Sequence, residues 1–242
     1  MKICVAQTRP VKGNIAGNIE NHKKLINLAV ADRADIIIFP ELSITGYELE
    51  LAGALATTPD DRRFNVFQEI SDTGQITIGI GVPTKNNNGI YITMVLFRPH
   101  QARQTYSKKY LHTDEEPFFV SGQSSLRLLG DKNNAALAIC YEILVPEHAE
   151  NAFKNGADIY IASVAKSVNG MAKAIERLAQ IAQEYSMTVF MANCVGFCDN
   201  FECGGKTSVL DNKGLLLGQL NDSDEGLLIL DTDTHELTQK TI

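Results

Sequence analysis

The chain has 242 residues, of which 44% are hydrophobic and 21% are charged, and its formal net charge is -7 at pH 7. This composition excludes a disordered chain, and the length allows a large buried core. Because an acidic chain lacks the basic surface that binds phosphates, we expect no nucleic-acid partner and a small-molecule ligand instead. No stretch approaches the roughly 20 apolar residues of a membrane span, so we expect no membrane partner.

The first half of the chain alternates short β-branched runs with longer helical patterns. Polar and glycine-rich stretches separate these runs, as turns do. The pattern predicts, in order, a strand in KICVAQ, a helix over residues 18–33, a strand in DIIIFP, a helix starting near Asp60, and a hairpin in which NNNG joins ITIGIGV to IYITMVLF.

The second half continues the alternation. The pattern predicts a hairpin-like pair in RQTYS and SLRLLG, a strand in AALAIC, a helix over residues 146–155, a strand in DIYIASV, a helix over about residues 170–185, and strands in TVFMANC, TSVLD, GLLLGQL and GLLILD. DIIIF and DIYIAS are apolar throughout, which predicts sheets covered on both faces. Since no linker, composition break or fixed-period repeat interrupts the chain, we expect one α/β domain over residues 1–242.

The five cysteines favour a reducing compartment. Cys4, Cys140, Cys194, Cys198 and Cys203 are an odd number, whereas a secreted disulfide framework usually pairs an even number of thiols. MKICVAQTRPVKGNIAG at the N-terminus has only a short apolar run and no signal-peptide pattern, so we expect a cytoplasmic location. Each reduced thiol then needs an explanation in packing, metal binding or chemistry.

Three predicted strands end in reactive side chains. Glu41 follows DIIIFP, Lys108 follows TYS, and Cys140 ends AALAIC. Each has an ordinary explanation by itself, as a solvated carboxylate, a surface charge or a packed thiol. Together they supply a proton acceptor, a cation and a nucleophile, the groups that acyl transfer through a cysteine requires.

Three motifs surround these residues. The chain contains FPELSITGYE, YSKKYLHTDEEPFF and CYEILVPE in this order. Their order and spacing resemble the glutamate, lysine and cysteine signatures of the nitrilase superfamily of carbon-nitrogen hydrolases. The similarity extends over nearly the whole chain, from KICVAQTRPVKGNIAGNIE to MANCVGFCDNFECGGKTSVLDNKG. The resemblance implies a four-layer α-β-β-α sandwich, which associates as a homodimer or a larger homo-oligomer and uses no cofactor.

The resemblance also implies a role for each matching residue. Glu41 would be the general base and Cys140 the nucleophile, while Lys108 and the backbone N-H of Tyr141 would stabilise an oxyanion. The resulting mechanism hydrolyses an amide through a thioester and releases ammonia.

Two positions in the lysine motif require a choice between neighbours. Tyr106 lies two residues before Lys108, which is the family's spacing, whereas Lys109 is one residue out of register. A further glutamate of the family matches Glu115 better than Glu116. Segments that the family folds around its substrate contain three further candidates: Tyr47, Ser163 and Asn193.

The residue after the nucleophile favours amides over nitriles. A tryptophan commonly follows the cysteine in true nitrilases, but Tyr141 stands there and the chain has no tryptophan. The resemblance is therefore closest to the amidase and carbamoylase branches. An ω-amide, an N-carbamoyl amine and an aliphatic amide all stay open as substrates. The alternatives are nitrile hydrolysis or acyl transfer at the same site, or a catalytically silent binding protein of this fold.

Other signals carry less weight. GGKT at residues 204–207 lacks the earlier glycine of a phosphate-binding loop. Cys194, Cys198 and Cys203 are spaced unlike a zinc ribbon and have no histidine among them, so we expect packing or an accessory thiol rather than a metal site. His112 and His148 suggest a cysteine-histidine protease, but we expect both at the surface or beside the site rather than as the base.

Overall fold

Helices and strands alternate along the chain in a computed structural model that describes residues 1–123, 128–130 and 134–242. The helices are α1 (Ile15–Ala31), α2 (Ala52–Leu55), α3 (Asn65–Gly74), α4 (Pro146–Lys154) and α5 (Met171–Tyr185). The strands are β1 (Lys2–Gln7), β2 (Ile36–Ile38), β3 (Thr77–Asn86), β4 (Gly89–Phe97), β5 (Gln104–Ser107), β6 (Leu128–Leu129), β7 (Ala135–Ile139), β8 (Ile159–Ser163), β9 (Thr188–Ala192), β10 (Val195–Cys198), β11 (Phe201–Gly204), β12 (Ser208–Leu210), β13 (Leu216–Gln219), β14 (Gly226–Asp231) and β15 (Leu237–Thr241). Within these residues, no helix is both long enough and apolar enough to cross a membrane.

The strands form two large sheets and one separate hairpin. The first sheet has the order β15-β14-β1-β2-β3-β4-β5, and the second has the order β13-β12-β9-β8-β7-β6. The central strands β1, β2 and β3 of the first sheet are parallel, as are β7, β8 and β9 of the second. The separate hairpin pairs β10 with β11.

The alternation of side chains along β1 explains the layers. Ile3 and Val5 belong to the core that includes the residues of the second sheet, whereas Cys4 and Ala6 belong to the core formed with α1 and α3. Successive strand residues point to opposite faces, so a strand that is apolar at every position is covered on both sides. With α4 and α5 on the outer face of the second sheet, the result is the predicted four-layer α-β-β-α sandwich.

Side-chain caps explain where two helices begin. The helix predicted over residues 18–33 begins at Ile15, because the Asn14 side chain accepts a hydrogen bond of 3.1 Å from the Gly17 N-H. The helix predicted from Asp60 is divided: a 3-10 helix capped by Asp61 precedes α3. The first residue of each helix is thus set by one capping side chain, Asn14 or Asp61, and not by the spacing of the apolar residues.

The predicted hairpin between RQTYS and SLRLLG is wrong. β5 pairs with β4 in the first sheet, whereas β6 pairs with β7 in the second. Residues 125–127, the first three of SLRLLG, lie outside the described residues. The chain crosses from one sheet to the other after β5, so strands that are neighbours in sequence are not neighbours in space. This crossing also brings the lysine motif between the sheets.

Candidate active site

The candidate site is built around one buried ammonium group. Lys108 follows β5 and is fully buried, and its Nζ donates hydrogen bonds of 2.8 Å to Glu41 Oε1 and 2.6 Å to Glu115 Oε1. A charge removed from water in this way requires close opposite charges. The structure therefore brings together Glu41 from the end of the β2 segment and Lys108 and Glu115 from the lysine motif.

Glu115 is held from several sides. Its Oε1 also accepts a 2.8 Å hydrogen bond from the Tyr47 hydroxyl, and its Oε2 accepts one of 2.8 Å from the His112 N-H. These contacts leave the Glu115 carboxylate acting on Lys108 and Tyr47 rather than on a thiol. Its geometry suits a group that keeps Lys108 charged and in position.

Cys140 lies at a strained turn beside these groups. It ends the β7 segment with a φ of 41°, a left-handed backbone conformation that residues other than glycine rarely adopt. A 3-10 helix over Cys140–Leu144 begins at the same residue. Since the first N-H groups of a helix have no acceptor within it, the N-H of Tyr141 has no partner inside this helix.

Burial controls the proton affinities of the three groups. Burial, with a smaller contribution from Glu115, raises the pKa of the Glu41 carboxyl to about 7 against the opposing charge of Lys108. Burial and the Glu41 carboxylate raise the pKa of the Cys140 thiol to about 11. Burial by itself would lower the pKa of Lys108, but Glu41, Cys140 and Glu115 outweigh it and raise that pKa, so the ammonium stays protonated.

Glu41 has one oxygen left for a proton. Its Oε2 is buried and has no hydrogen-bond partner at standard distances, whereas the Cys140 thiol lies near enough to act as a weaker donor that lowers the Glu41 pKa. A carboxyl with a pKa near 7 can both accept and return a proton at neutral pH. The pair therefore suits proton transfer from thiol to carboxylate.

A cavity of about 250 Å³ opens over the thiol. Its walls include Tyr47, Cys140, Tyr141, Lys166 and Phe201. The volume suits a molecule smaller than a typical drug, whose pockets begin at about 300 Å³. Lys108, Glu41 and Glu115 are buried beside this cavity, and their removal from water strengthens the interactions between their charges.

Residues 2–240 match the family model described as carbon-nitrogen hydrolase. The chain belongs to the carbon-nitrogen hydrolase family. The hydrolase in agr operon of Staphylococcus aureus is 25% identical over 246 residues, which are 99% of this chain and 94% of that relative. The 2-oxoglutaramate amidase of Bacillus subtilis is 25% identical over 207 residues, or 84% of this chain and 80% of that enzyme.

The fold has a solved counterpart. The amidase from Nesterenkonia sp. AN1 superposes with a TM-score of 0.86 at 22% identity, over 96% of this chain and 90% of that one. Carbon-nitrogen hydrolases act on non-peptide carbon-nitrogen bonds, and this chain is a nitrilase-superfamily enzyme of that class.

Two residues predicted to bind substrate lie behind the cavity walls of this carbon-nitrogen hydrolase. The Ser163 hydroxyl donates a 2.8 Å hydrogen bond to the Phe39 carbonyl, which ties β8 to the segment that carries Glu41. Asn193 Oδ1 accepts a 2.9 Å bond from the Lys166 N-H. Neither residue lines the cavity, whereas Tyr47 does.

Glu142 joins the lysine and cysteine motifs. Its Oε1 accepts a 2.7 Å bond from the Lys109 N-H, and its Oε2 accepts bonds from the Tyr106 hydroxyl at 2.7 Å and the Ile139 N-H at 2.8 Å. His148 Nε2 lies 2.8 Å from the same Tyr106 hydroxyl, and burial lowers the pKa of His148. His148 thus belongs to this network and does not line the cavity.

The second histidine lies at the cavity. His112 contributes to the wall, its side chain is 55% exposed, and its Nδ1 lies 2.5 Å from Asp114 Oδ1. This pairing directs the ring toward a surface carboxylate, whereas Glu41 is buried against the thiol. Among the described residues, three or more potential metal-ligand side chains converge only at Cys194, Cys198 and Cys203, none of which lines the cavity.

Lys166 and Gly81 also shape the site of this carbon-nitrogen hydrolase, although no sequence motif marks them. Lys166 lines the cavity, and its charge partly offsets the burial that raises the pKa of Cys140. Within the described residues its ammonium has no hydrogen-bond or ion-pair partner. Gly81 on β3 leaves room for the Glu41 loop, because a Cβ there would lie 2.4 Å from the Leu42 nitrogen and 2.5 Å from the Pro40 oxygen. Neither role has a signal in the local sequence.

Gly81→Ala should displace the Glu41 loop. A Cβ at residue 81 would collide with backbone atoms of the loop that carries Glu41, so the loop must move. Misplacing a reacting group by about 1 Å can lower the rate about 100-fold. We expect alkylation of Cys140 by iodoacetamide, followed by intact mass, to slow by about that factor. Gly79→Ala is the control, because its Cβ meets only side chains. Equal slowing in both variants would contradict the assigned role.

The alkylation rate of Cys140 should rise with pH through about 7. Below this value Glu41 is protonated and cannot accept the thiol proton, and above it the carboxylate can. Iodoacetamide labelling across pH 5 to 9 in roughly equal steps measures the inflection. Glu41→Gln should abolish it, and an unchanged inflection in that variant would rule out Glu41 as the acceptor.

Proposed function

We propose that the chain is an amidohydrolase that cleaves the amide or N-carbamoyl bond of a small molecule and releases ammonia through a cysteine thioester. The observation that carries the proposal is the buried Lys108 ammonium held between Glu41 and Glu115, next to a cavity lined by Cys140. This arrangement provides the nucleophile, base and oxyanion donor that amide cleavage needs.

In the first step, Glu41 takes the proton of the Cys140 thiol while the sulfur attacks the amide carbonyl. The carbonyl oxygen becomes an oxyanion, which the Lys108 ammonium and the Tyr141 N-H stabilise. The protonated Glu41 then gives its proton to the departing nitrogen, the carbon-nitrogen bond breaks, and a thioester remains. A pKa near 7 suits Glu41 to both transfers.

In the second step, Glu41 takes a proton from water, and the resulting hydroxide attacks the thioester. The same two donors stabilise the second oxyanion, and the proton on Glu41 returns to the sulfur as the acid leaves. Glu115 takes no proton in this scheme. It keeps Lys108 charged and oriented through its 2.6 Å hydrogen bond.

Relatives support carbon-nitrogen chemistry at a reactive cysteine. The Bacillus subtilis relative is named a 2-oxoglutaramate amidase and the Pyrococcus abyssi relative a nitrilase, each 25% identical to this chain. In one Nesterenkonia structure, the acetamide moiety of fluoroacetamide is covalently added to the active-site cysteine, which supports a nucleophilic thiol in this fold. The presence of all three reactive groups in one buried cluster counts against a silent binding protein. Nitrile hydrolysis and transfer of the acyl group to an acceptor other than water would use the same thiol. The substrate class that releases ammonia and the product formed with an added acceptor distinguish these two reactions from amide hydrolysis.

The substrate of this site carries a negative group at some distance from the scissile amide. Lys166 is a cavity-wall cation without a partner among the described residues, while Lys108 is already paired with two carboxylates. An ammonium in a cavity wall without a protein partner can form a charge-assisted hydrogen bond with an anionic ligand. An ω-amide of a carboxylic acid fits this requirement and the small cavity.

The proposal also includes a cellular location, an oligomeric state and a domain organisation. A reducing, cytoplasmic location agrees with five free thiols, and the homodimer and the single domain over residues 1–242 are part of the proposed organisation. Sedimentation velocity measures the oligomeric state.

Ammonia release should depend on Cys140 and fall steeply without Lys108. We expect release from one class in a panel of ω-amides, N-carbamoyl amines, aliphatic amides and nitriles, and none in Cys140→Ala. Lys108→Ala should lower turnover by about 100- to 1,000-fold, because it removes one oxyanion donor.

Intact mass during turnover supplies the internal control, since an acyl adduct should form on the wild type and be lost in Cys140→Ala. Ammonia release that persists in Cys140→Ala would reject the thioester route. Hydroxamate formation in added hydroxylamine would trap the same intermediate, and products with an amine acceptor but not with water would indicate a transferase.

Lys166→Met should affect carboxylated amides selectively. Losing a hydrogen bond to a charged group costs about 1.5–3 kcal/mol, so KM for an ω-amide should rise about 10- to 100-fold, with little change for a neutral aliphatic amide. Lys109→Met is the matched control, because Lys109 is exposed and does not line the cavity. A KM increase of the same size for both substrates would refute the anion-binding role.

A further inference from the structure

Three thiols converge outside the candidate active site. Cys194 precedes β10, Cys198 ends β10, and Cys203 lies on β11. The Sγ atoms of Cys203 and Cys198 are 2.8 Å apart, those of Cys194 and Cys203 are 2.9 Å apart, and those of Cys194 and Cys198 are 3.7 Å apart. All three side chains are buried.

The hairpin register explains this convergence. Cys203 pairs with Gly196, and Cys198 lies two residues after Gly196, so both side chains point to the same face of the β10-β11 hairpin. Cys194 enters from the segment just before β10 and contributes the third sulfur. The three cysteines are not spaced like those of a zinc ribbon in the sequence, but the pairing of β10 with β11 brings their sulfurs together.

One point can lie at bonding distance from all three sulfurs. A triangle with these sides has such a point about 2.3 Å from every corner and roughly 1.3 Å above its plane, and about 2.3 Å is the zinc-thiolate distance. A regular tetrahedron with bonds of about 2.3 Å has its corners about 3.8 Å apart, so the Cys194–Cys198 separation already fits, whereas the other two sulfur pairs must each widen by about 0.9 Å on metal binding. A disulfide would use two of them and leave the third unused.

We propose that Cys194, Cys198 and Cys203 form a binding site for one thiophilic d10 cation such as Zn²⁺. All three ligands are soft sulfur donors, which select zinc or Cu(I) over magnesium or calcium. On binding, three S-H groups release their protons, three metal-sulfur bonds form, and the fourth position of the tetrahedron is open to water. No oxidation or reduction takes place.

The three sulfurs lie beside a second cavity, outside the candidate active site. Cys203 borders this cavity of about 320 Å³, whose wall also includes Met171 and Lys206. Because the three side chains are buried, a cation entering from this side needs a local opening of the hairpin. Metal binding is thus independent of the proposed amide hydrolysis.

Bound metal would nevertheless reinforce one wall of the active-site cavity. The backbone of Cys203 forms an isolated bridge with Ser167, and Phe201 lies on the same hairpin; both Ser167 and Phe201 line the cavity. An ion at the three sulfurs would link these wall segments through metal-ligand bonds.

The test uses the full chain, reduced and freed of metal by a chelator, then dialysed against Zn²⁺ and measured by elemental analysis. We expect one zinc per chain in the wild type and in Cys140→Ala and Cys4→Ala, which keep the three ligands. Cys198→Ser and Cys203→Ser should lose this stoichiometric binding.

A second measurement on the wild type does not depend on variants that fold. Titration with Co²⁺ should produce thiolate-to-cobalt charge-transfer absorption that saturates at one equivalent and disappears when Zn²⁺ is added. Binding of no metal, retention of one zinc in both serine variants, or a chain two hydrogens lighter because of a disulfide would each overturn the proposal.

Discussion

The buried ammonium of Lys108 is the charge around which the site is arranged. An ion without water costs several kcal/mol, and removing one partner of a buried pair typically costs about 3–5 kcal/mol. Glu41 and Glu115 supply the two opposite charges at 2.8 and 2.6 Å. Because Glu41 comes from a different segment than Lys108 and Glu115, the folded chain can keep Lys108 fully paired only when the two segments meet correctly.

That same burial separates the proton affinities of the reacting groups. It raises the pKa of Glu41 to about 7 and that of Cys140 to about 11. A thiol that stays protonated in the resting protein is protected from chance oxidation, since the thiolate is the reactive form. Reactivity then depends on a neighbouring carboxylate and on a bound substrate rather than on the thiol alone.

Much of this arrangement could be predicted from the sequence. Runs that are apolar at every position predicted sheets covered on both faces, and the family resemblance carried by three ordered motifs implied the four layers. The pairing of β5 and β6 could not be predicted, because each strand joins a different sheet. Lys166 and Gly81 were missed because their roles depend on empty space: one faces a cavity, and the other leaves room for a loop.

The Glu142 carboxylate fixes the position of one sheet relative to the other. It bonds to Tyr106 on a strand of the first sheet and to the Ile139 N-H on a strand of the second. Any sliding of one sheet over the other would therefore change the spacing between the lysine and cysteine motifs. Substitutions of the apolar side chains between the sheets must therefore keep the distance between the sheets. This distance sets the separation of the lysine motif from the cysteine motif.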